Sequence, residues 1–303
     1  MPGSADLAII PRDPKYQGFR QYQIAQFGLD KTPLEQFVIY LQKLVTLDWG
    51  KSYLYKQPVV QILAVDLSWT LLLVGTATIF TILIGMAIGA YAAVRRGKPF
   101  DYLSTGFTIF FYGMPIFWLG LMLQAAFKRR SPLAAWFSWW PQLPVQGYFN
   151  NDLIPWQWDA THVVDAAFHL ILPAATLALG TIAGISLVMR SSLIDVMTED
   201  FVTTARAKGL SEGAVLRKHI LPNGLPPMVS LIALDVAFIL GGAYQVEYVF
   251  NYKGIGYRTI EAIGNLDFPL LQFIIVIGGA AVVIANLISD FVLLLLDPRI
   301  KIT

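Results

Sequence analysis

The stretch "TLLLVGTATIFTILIGMAIGAYAAV", residues 70–94, contains 25 residues and no charged side chain. A membrane-spanning helix needs about 20 consecutive, largely apolar residues. The whole chain agrees with this stretch: 56% of its 303 residues are hydrophobic, 14% are charged, and the mean hydropathy is +0.58. Soluble domains are about 45–50% apolar and about 25% charged. The composition therefore predicts a membrane protein, and a net charge of +2 gives no ground for a nucleic-acid partner.

Four further runs have the same character, which predicts an all-α, polytopic membrane helix bundle with five visible spans. One carboxylate, Asp235, falls in the middle of the fourth run. The predicted spans are residues 70–94, 104–127, 169–189, 225–248 and 270–296.

The connecting loops differ in charge between the two sides of this bundle. Cytoplasmic loops carry an excess of Lys and Arg, so the side with ten basic residues is predicted to be cytoplasmic, together with the C-terminus. The opposite side has five basic residues and a tryptophan-rich loop, which either anchors the chain at the interface or stacks on a ligand. The ten basic residues are Arg95, Arg96, Lys98, Arg190, Arg206, Lys208, Arg217, Lys218, Arg299 and Lys301, and the tryptophans are Trp136, Trp139, Trp140, Trp156 and Trp158.

The sequence lacks the residues that several kinds of functional site require. There is no cysteine, which excludes disulfides and thiolate metal sites. No phosphate-binding G-x-x-x-x-G-K-[ST] loop occurs, so the chain is not expected to hydrolyse ATP. The three histidines, His162, His169 and His219, are scattered, so no metal site is expected. An intramembrane protease would have to pair Ser186 with His169, and the spacing does not favour that pair.

The first sixty residues are polar and are predicted to form an extracytoplasmic segment, 1–60, ahead of a membrane domain, 61–303. Thr32, a following proline and Glu35 have the pattern of a capping box. Apolar residues then recur at helical spacing from Leu34 to Val45. This pattern predicts one short amphipathic helix that packs on the outer face of the bundle.

Residues 191–222, here called the basic segment, are polar and positively charged although they join two apolar runs. Good helix formers fill 193–208, and Gly209 suits a left-handed helix end. Ser211 can cap a second helix over 212–220, which Pro222 would end. The positions of Gly209, Ser211 and Pro222 predict a rigid helix–turn–helix. Such a protrusion is either an ordinary solvated loop or a docking site for a motor that the chain itself lacks.

The stretch "DFVTTARAKGLSEGAVLRKHILPN", residues 200–223, resembles the cytoplasmic loop of binding-protein-dependent ABC importer permeases of the dipeptide/oligopeptide permease B type. The general loop has Glu-Ala-Ala where this chain has Thr-Thr-Ala, 203–205, which is similar to this branch's own variant. The resemblance extends in order over nearly the whole chain. It includes "DWGKSY" (48–53), "GMPIFWLGLML" (113–123), "HLILPAATLAL" (169–179), "YQVEYVFNYKGIGYRTIEAI" (244–263) and "LDPRIK" (296–301).

The resemblance implies a transporter subunit of the cell membrane and not an enzyme. It would pair with a homologous permease, with two cytoplasmic ATP-binding subunits that use ATP and Mg, and with an extracytoplasmic solute-binding protein. No cofactor would bind this chain. Family substrates include peptides, oligosaccharides and nickel complexes, and peptide is favoured here, with oligosaccharide as the rival. The residues expected to couple to an ATP-binding subunit are Thr204, Ala205, Arg206, Ala207, Lys208, Gly209, Ser211, Leu216 and His219.

The resemblance also suggests a translocation path or gate near the last outer loop. Asp235 would face that path, or instead form a hydrogen bond between packed helices, since a lipid-facing carboxylate is costly. Glu247 opens the segment that would fold back as an outer gate, and Gly254 and Gly256 would permit a tight return.

A secondary transporter and a membrane enzyme are the two alternative classes for an apolar bundle of this kind. A secondary transporter would be expected to show internal repeats, and none stands out; a membrane enzyme lacks its catalytic residues. The family has six spans, and the sequence from Met1 resembles the part that follows the first. We therefore expect a further span upstream of Met1, the rival being a five-span subunit whose outer residues are carried across by the first span.

Overall fold

The computed structural model describes residues 17–128, 131–137, 139–149, 160–229, 231–232 and 243–296. Within these residues the regular structure is helical and no sheet occurs, so the predicted all-α class is confirmed. The only β pairing in this part is one isolated bridge between Lys51 and Pro58. The helices are α1 (Gln17–Phe27), α2 (Pro33–Thr46), α3 (Val59–Val94), α4 (Pro99–Tyr112), α5 (Ile116–Phe127), α6 (Pro132–Trp136), α7 (Ala160–Met197), α8 (Asp200–Ala207), α9 (Glu212–Val215), a π turn (Leu216–Ile220), α10 (Leu221–Gly224), α11 (Tyr244–Val249), α12 (Ile255–Gly264) and α13 (Phe268–Leu296).

Three helices of the described part are individually long and apolar enough to cross a membrane. They are α3, α7 and the first 21 residues of α13, with mean hydropathies of 2.4, 2.0 and 2.4. They contain the predicted spans 70–94 and 169–189 and most of 270–296. Both α3 and α7 begin about ten residues earlier than predicted, because their first turns carry polar residues that hide the apolar signal but do not break the helix.

The predicted span 104–127 consists of two helices. α4 and α5 meet at 101° with three residues between them. Pro115 has no N–H to continue the α4 hydrogen-bond ladder, and a residue before proline, here Met114, is disfavoured in the α region. This bend was not predicted, since proline is compatible with an apolar run.

The predicted span 225–248 is described only in part. Residue 230 and residues 233–242 lie outside the described residues, so Asp235 does as well. The same holds for Trp156 and Trp158 and for residues 1–16.

Close contact between α3 and α7 organises the bundle. The two helices run side by side in the same direction, and Thr81 of α3 lies 3.1 Å from Thr181 of α7, hydroxyl to hydroxyl. A Cβ added at Gly89 would lie 2.4 Å from the carbonyl oxygen of Ser186, and one at Gly85 would lie 2.9 Å from Ile185. Apolar lipid gives no hydrophobic driving force between helices, so small residues that let backbones approach are what stabilises such a pair.

The bundle has two distinct ends. We call one the basic end, residues 95–98 and 190–224, and the other the return end, residues 47–58 and 243–268. At the basic end, Arg190 of α7 donates two hydrogen bonds to Asp101 of α4, one of them at 2.8 Å. Asp101 also accepts from the backbone N–H of Gly97 at 2.9 Å. A buried carboxylate that accepts three hydrogen bonds is fully compensated.

Helix α2 confirms the predicted capping box. The Thr32 backbone N–H donates to Glu35 Oε2 at 2.9 Å, and the Glu35 N–H donates back to Thr32 Oγ1 at 3.5 Å. The helix contacts the bundle through Tyr40, whose ring lies 6.1 Å from that of Phe273, and through Leu44. The rest of its predicted apolar face is exposed. Those exposed residues are Leu34, Phe37, Val38, Leu41 and Val45.

The contact between α3 and α7 generates a prediction. Gly89→Ala should lower the midpoint of thermal unfolding in detergent, because overpacking a tight site costs about 1–3 kcal/mol. Gly75→Ala is the matched control, since a Cβ there meets nothing within 4 Å and lies in the same helix. Equal midpoints for the two variants would contradict the close approach.

Candidate functional site

The basic segment is divided into more pieces than the sequence predicts. A single helix over 193–208 was expected, but α7 ends at Met197 and α8 begins at Asp200. Thr198 causes part of the break, since its hydroxyl donates to the carbonyl of Asp195 at 2.7 Å and so competes with the helix. Glu199 is extended, with φ −72° and ψ 147°. The short helix α8 can thereby change direction relative to α7.

The turn between α8 and α9 has the predicted form. Gly209 is left-handed with φ +80°, and its N–H donates to the carbonyl of Arg206 at 2.9 Å. Ser211 occupies the predicted capping position with extended backbone, but its hydroxyl makes no capping bond. Its carbonyl accepts from Ala214 and Val215 at 2.8 and 2.9 Å. Backbone geometry, and not the serine side chain, starts the second helix.

Pro222 does not end the second helix, which corrects the sequence prediction. A π turn, Leu216–Ile220, follows α9, and helix α10 continues to Gly224 with Pro222 in its first turn. Proline lacks an N–H and crowds the carbonyl four residues earlier. A π turn widens the helix at that point, so the chain passes the proline without stopping.

The residues predicted to couple to an ATP-binding subunit differ in their exposure to solvent. Arg206 and Glu212 form an exposed ion pair at 3.0 Å that joins the two helices across the turn, so Arg206 already has an acidic partner within the segment. Ala205 is buried, and Leu216 and His219 are half-buried. The residues that are exposed at the tip are Thr204, Ala207, Lys208, Gly209 and Ser211.

The inward face of the basic segment is buried at the basic end of the bundle. Val202 and Ala205 of α8 and Val215 of α9 are in one buried cluster with residues of α3 and α7, including Ala93 and Leu193. Farther along, a Cβ at Gly224 would lie 2.4 Å from a Leu193 methyl group. Ser192 donates to the Gly224 carbonyl at 2.8 Å. The chain that follows the tip therefore contacts α7 directly and shares a buried cluster with Ala93 of α3.

At the return end, Glu247 is fully buried and its carboxylate connects three elements. Oε1 accepts from the Thr70 hydroxyl at 2.9 Å, and Oε2 accepts from the backbone N–H of Tyr257 at 2.9 Å. Thr70 Oγ1 in turn accepts from the N–H of Ile255 at 2.8 Å. α11, the start of α12 and α3 are thus joined through one carboxylate and one hydroxyl.

Gly254 and Gly256 are required by close approach and not by left-handed backbone. A Cβ at Gly254 would lie 2.3 Å from Thr70 Oγ1 and 2.6 Å from Glu247 Oε2. A Cβ at Gly256 would lie 2.6 Å from the backbone of Tyr244. A side chain at either position would separate the elements that these residues join. Glu247, Gly254 and Gly256 therefore lie in one packed unit, while Asp235 is outside the described residues.

Sequence reasoning missed several members of this site. Asp66 lies on α3 one turn before Thr70, is 2% exposed, and accepts from Arg258 Nε at 2.6 Å. The available signal was a carboxylate just ahead of a long apolar run. Asp267 is also buried and accepts from Ser52 and from the Leu54 N–H.

The two residues that an intramembrane protease would have to pair lie far apart. His169 and Ser186 both lie on α7, 17 residues apart in sequence, which at 1.5 Å per residue is about 25 Å. Ser186 is buried where α7 contacts α3, and His169 Nδ1 lies 2.9 Å from the carbonyl oxygen of Asp165. Their positions are those of helix-packing residues.

Comparison with known proteins gives consistent relatives. Residues 85–302 match the family model described as "binding-protein-dependent transport system inner membrane component". The dipeptide transport system permease protein DppB of Escherichia coli K12 is 33% identical over 285 residues, which covers 92% of this chain and 84% of the relative. The oligopeptide transport system permease protein AppB of Bacillus subtilis 168 is 33% identical over 298 residues, covering 98% and 90%.

The fold is also similar to that of solved transporters. A chain of the MetNI methionine ABC transporter in an inward-facing conformation superposes with a TM-score of 0.59 at 16% identity, covering 80% of this chain and 99% of that one. At this level of identity the likeness concerns the fold alone.

The network around Glu247 generates a prediction. Thr70→Val should lower the thermal midpoint in detergent, because it removes the hydroxyl that bonds to Glu247 Oε1 and to the Ile255 N–H, at about 1–3 kcal/mol. Thr108→Val is the control: Thr108 is equally buried, but its hydroxyl bonds only to the Thr105 carbonyl in its own helix. The proposed network is wrong if the two variants lose the same stability.

Proposed function

The chain belongs to the family of binding-protein-dependent transport system inner membrane components, and on that premise we propose that it is a permease subunit of an ATP-driven importer of peptides. The peptide substrate is supported by relatives named for dipeptide and oligopeptide transport, which match over more than nine-tenths of this chain. The observation that carries the mechanism is the buried cluster that the inward face of the basic segment shares with residues of both long helices.

We propose that the exposed tip of the basic segment docks on a cytoplasmic ATP-binding subunit. Lys208 is exposed at this tip and can add a salt-sensitive electrostatic contact. The left-handed turn at Gly209 and the ion pair between Arg206 and Glu212 fix the angle between α8 and α9. ATP and Mg would be bound by the partner subunits, of which the family resemblance implies two, with a homologous permease and a solute-binding protein completing the importer.

We propose that the force is transmitted along the bundle. A displacement of the tip would act on the buried cluster that contains Leu193 of α7 and Ala93 of α3. The two helices are in backbone contact at Gly89, so they would move together. At its other end α3 carries Thr70, which bonds to Glu247 and Ile255. The return end would act as the outer gate that this movement opens and closes.

The proposal includes an orientation in the cell membrane. The basic end would face the cytoplasm, as the excess of Lys and Arg in its loops favours, and the C-terminus would lie on the same side. The return end and the residues before α3 would then be extracytoplasmic. The sequence division into 1–60 and 61–303 is close to the start of α3 at Val59.

The substrate is tested by reconstitution. The complete complex in vesicles, with the solute-binding protein on the outside relative to the ATP-binding subunits, should accumulate a labelled dipeptide or oligopeptide only when ATP is hydrolysed. A labelled oligosaccharide and a nickel complex are run in parallel. Uptake of either of these in place of peptide would reject the peptide assignment, and peptide uptake without ATP would reject the importer class.

The coupling role of the basic segment generates a further prediction. Gly209→Val should assemble with the ATP-binding subunits and leave ATP hydrolysis intact while peptide uptake falls, because a β-branched residue at positive φ disturbs the angle between α8 and α9 at a cost of more than about 1 kcal/mol. Gly213→Ala is the control, since a Cβ there meets only the end of Arg217 at 3.9 Å. Normal uptake per ATP in Gly209→Val would remove the proposed role of the turn.

A further inference from the structure

Helix α12 is joined to α3 by polar contacts on two successive turns of α3. Asp66 of α3 accepts from Arg258 Nε at 2.6 Å. Thr70, one turn later on the same face of α3, accepts from the Ile255 N–H at 2.8 Å. Leu63, Ile255 and Ala262 are buried together in one apolar cluster beside these contacts. The first and second turns of α12 are therefore fixed to one face of α3.

Arg258 is the point at which three segments meet. Its Nη1 donates to Glu261 at 2.9 Å and to the Tyr55 hydroxyl at 2.6 Å, and the guanidinium lies 4.6 Å from the centre of the Tyr55 ring. Burial raises the pKa of Tyr55, so its hydroxyl stays protonated and donates to Glu261. One guanidinium thus holds α3, α12 and the chain that leads into α3.

The far end of α12 is fixed as well. Asp267, three residues beyond the helix, accepts from the Ser52 hydroxyl and from the Leu54 N–H. It also accepts from the Leu270 N–H at 3.3 Å in the first turn of α13. The chain before α3 therefore contacts Arg258 through Tyr55, and it contacts Asp267 through Ser52 and Leu54.

These contacts are unsuited to a helix that swings on its own. Removing charges from water is expensive, so a buried ion pair is weak evidence for stability, but breaking it leaves an uncompensated charge. An arginine fork also fixes geometry more strictly than a single cation does. A flap that opened away from α3 would have to break the pair of Asp66 and Arg258 in every cycle.

We propose that Asp66 and Arg258 are positioning residues that attach α12 to α3, so that α3 and α12 move as one rigid body at the return end. What that movement achieves, opening and closing an outer gate for peptide, rests on the proposed function. The mechanical statement concerns only these two helices.

The test replaces the ion pair by a covalent link. The chain has no cysteine, so in Asp66→Cys/Arg258→Cys the introduced thiols are the only ones in this subunit. Before linking, uptake per ATP hydrolysed should fall about tenfold, since the joint is lost. A short bifunctional thiol reagent should then restore most of it. Inhibition by the link, or normal uptake per ATP without it, would overturn the proposal.

The control is Thr32→Cys/Glu35→Cys, treated with the same reagent. Thr32 and Glu35 are joined by a side-chain hydrogen bond at 2.8 Å in the capping box of α2, outside the return end. Neither this double substitution nor its linking should change uptake per ATP by more than the scatter of the assay. If linking restores uptake at positions 66 and 258 but has no effect at the control pair, the result shows a mechanical joint and not a general effect of the reagent.

A second variant tests the proposal in case the double-cysteine protein assembles poorly. Arg258→Lys keeps a positive charge beside Asp66 but loses the fork that also reaches Glu261 and Tyr55, and uptake per ATP should again fall while the complex remains intact by size-exclusion chromatography. Uptake per ATP equal to that of the unmodified complex would count against the joint. The unmodified complex itself tests the proposed function: if it takes up no peptide, the substrate is wrong, and ATP hydrolysis stimulated by the binding protein then reports on the joint.

Discussion

The backbone contact between α3 and α7 is the constraint on which the rest of the bundle depends. Gly85 and Gly89 let α3 approach the turn of α7 that contains Ile185 and Ser186. In a bilayer this approach must be stabilised by packing and not by exclusion of water. α3 extends from the return end to the basic end, and α7 continues into the basic segment. Without the glycines α7 could not approach α3 so closely.

Polar groups have the complementary role at the two ends. Each buried carboxylate described here, Asp66, Asp101, Glu247 and Asp267, bonds to at least one element other than its own. An unpaired charge in such surroundings is costly, so these residues allow only relative positions of the elements in which the partners meet. Apolar packing determines which helices are neighbours, and the carboxylates determine their register.

The parts that sequence could predict are those with a local cause. Long apolar runs predict membrane spans, Gly209 after a helical run predicts a left-handed helix end, and Thr32 with Glu35 predicts a capping box. The bend at Pro115 and the passage past Pro222 depend on how neighbouring turns accommodate proline, and composition does not report this. The pair of Asp66 and Arg258 is separated by 192 positions, so no local pattern could join them. Glu247 was predicted from family resemblance, whereas its partners required coordinates.

The backbone of the return end also differs in energy from that of the basic end. Among the described residues, every non-glycine residue with positive φ lies in or beside the return end: Leu47, Lys56, Asn251 and Leu266. Left-handed backbone costs an ordinary residue roughly 1–2 kcal/mol. The basic end places glycine at its two left-handed positions, Gly97 and Gly209. Among the described residues backbone strain is therefore concentrated at the return end, and relaxation of those four turns would favour any rearrangement there.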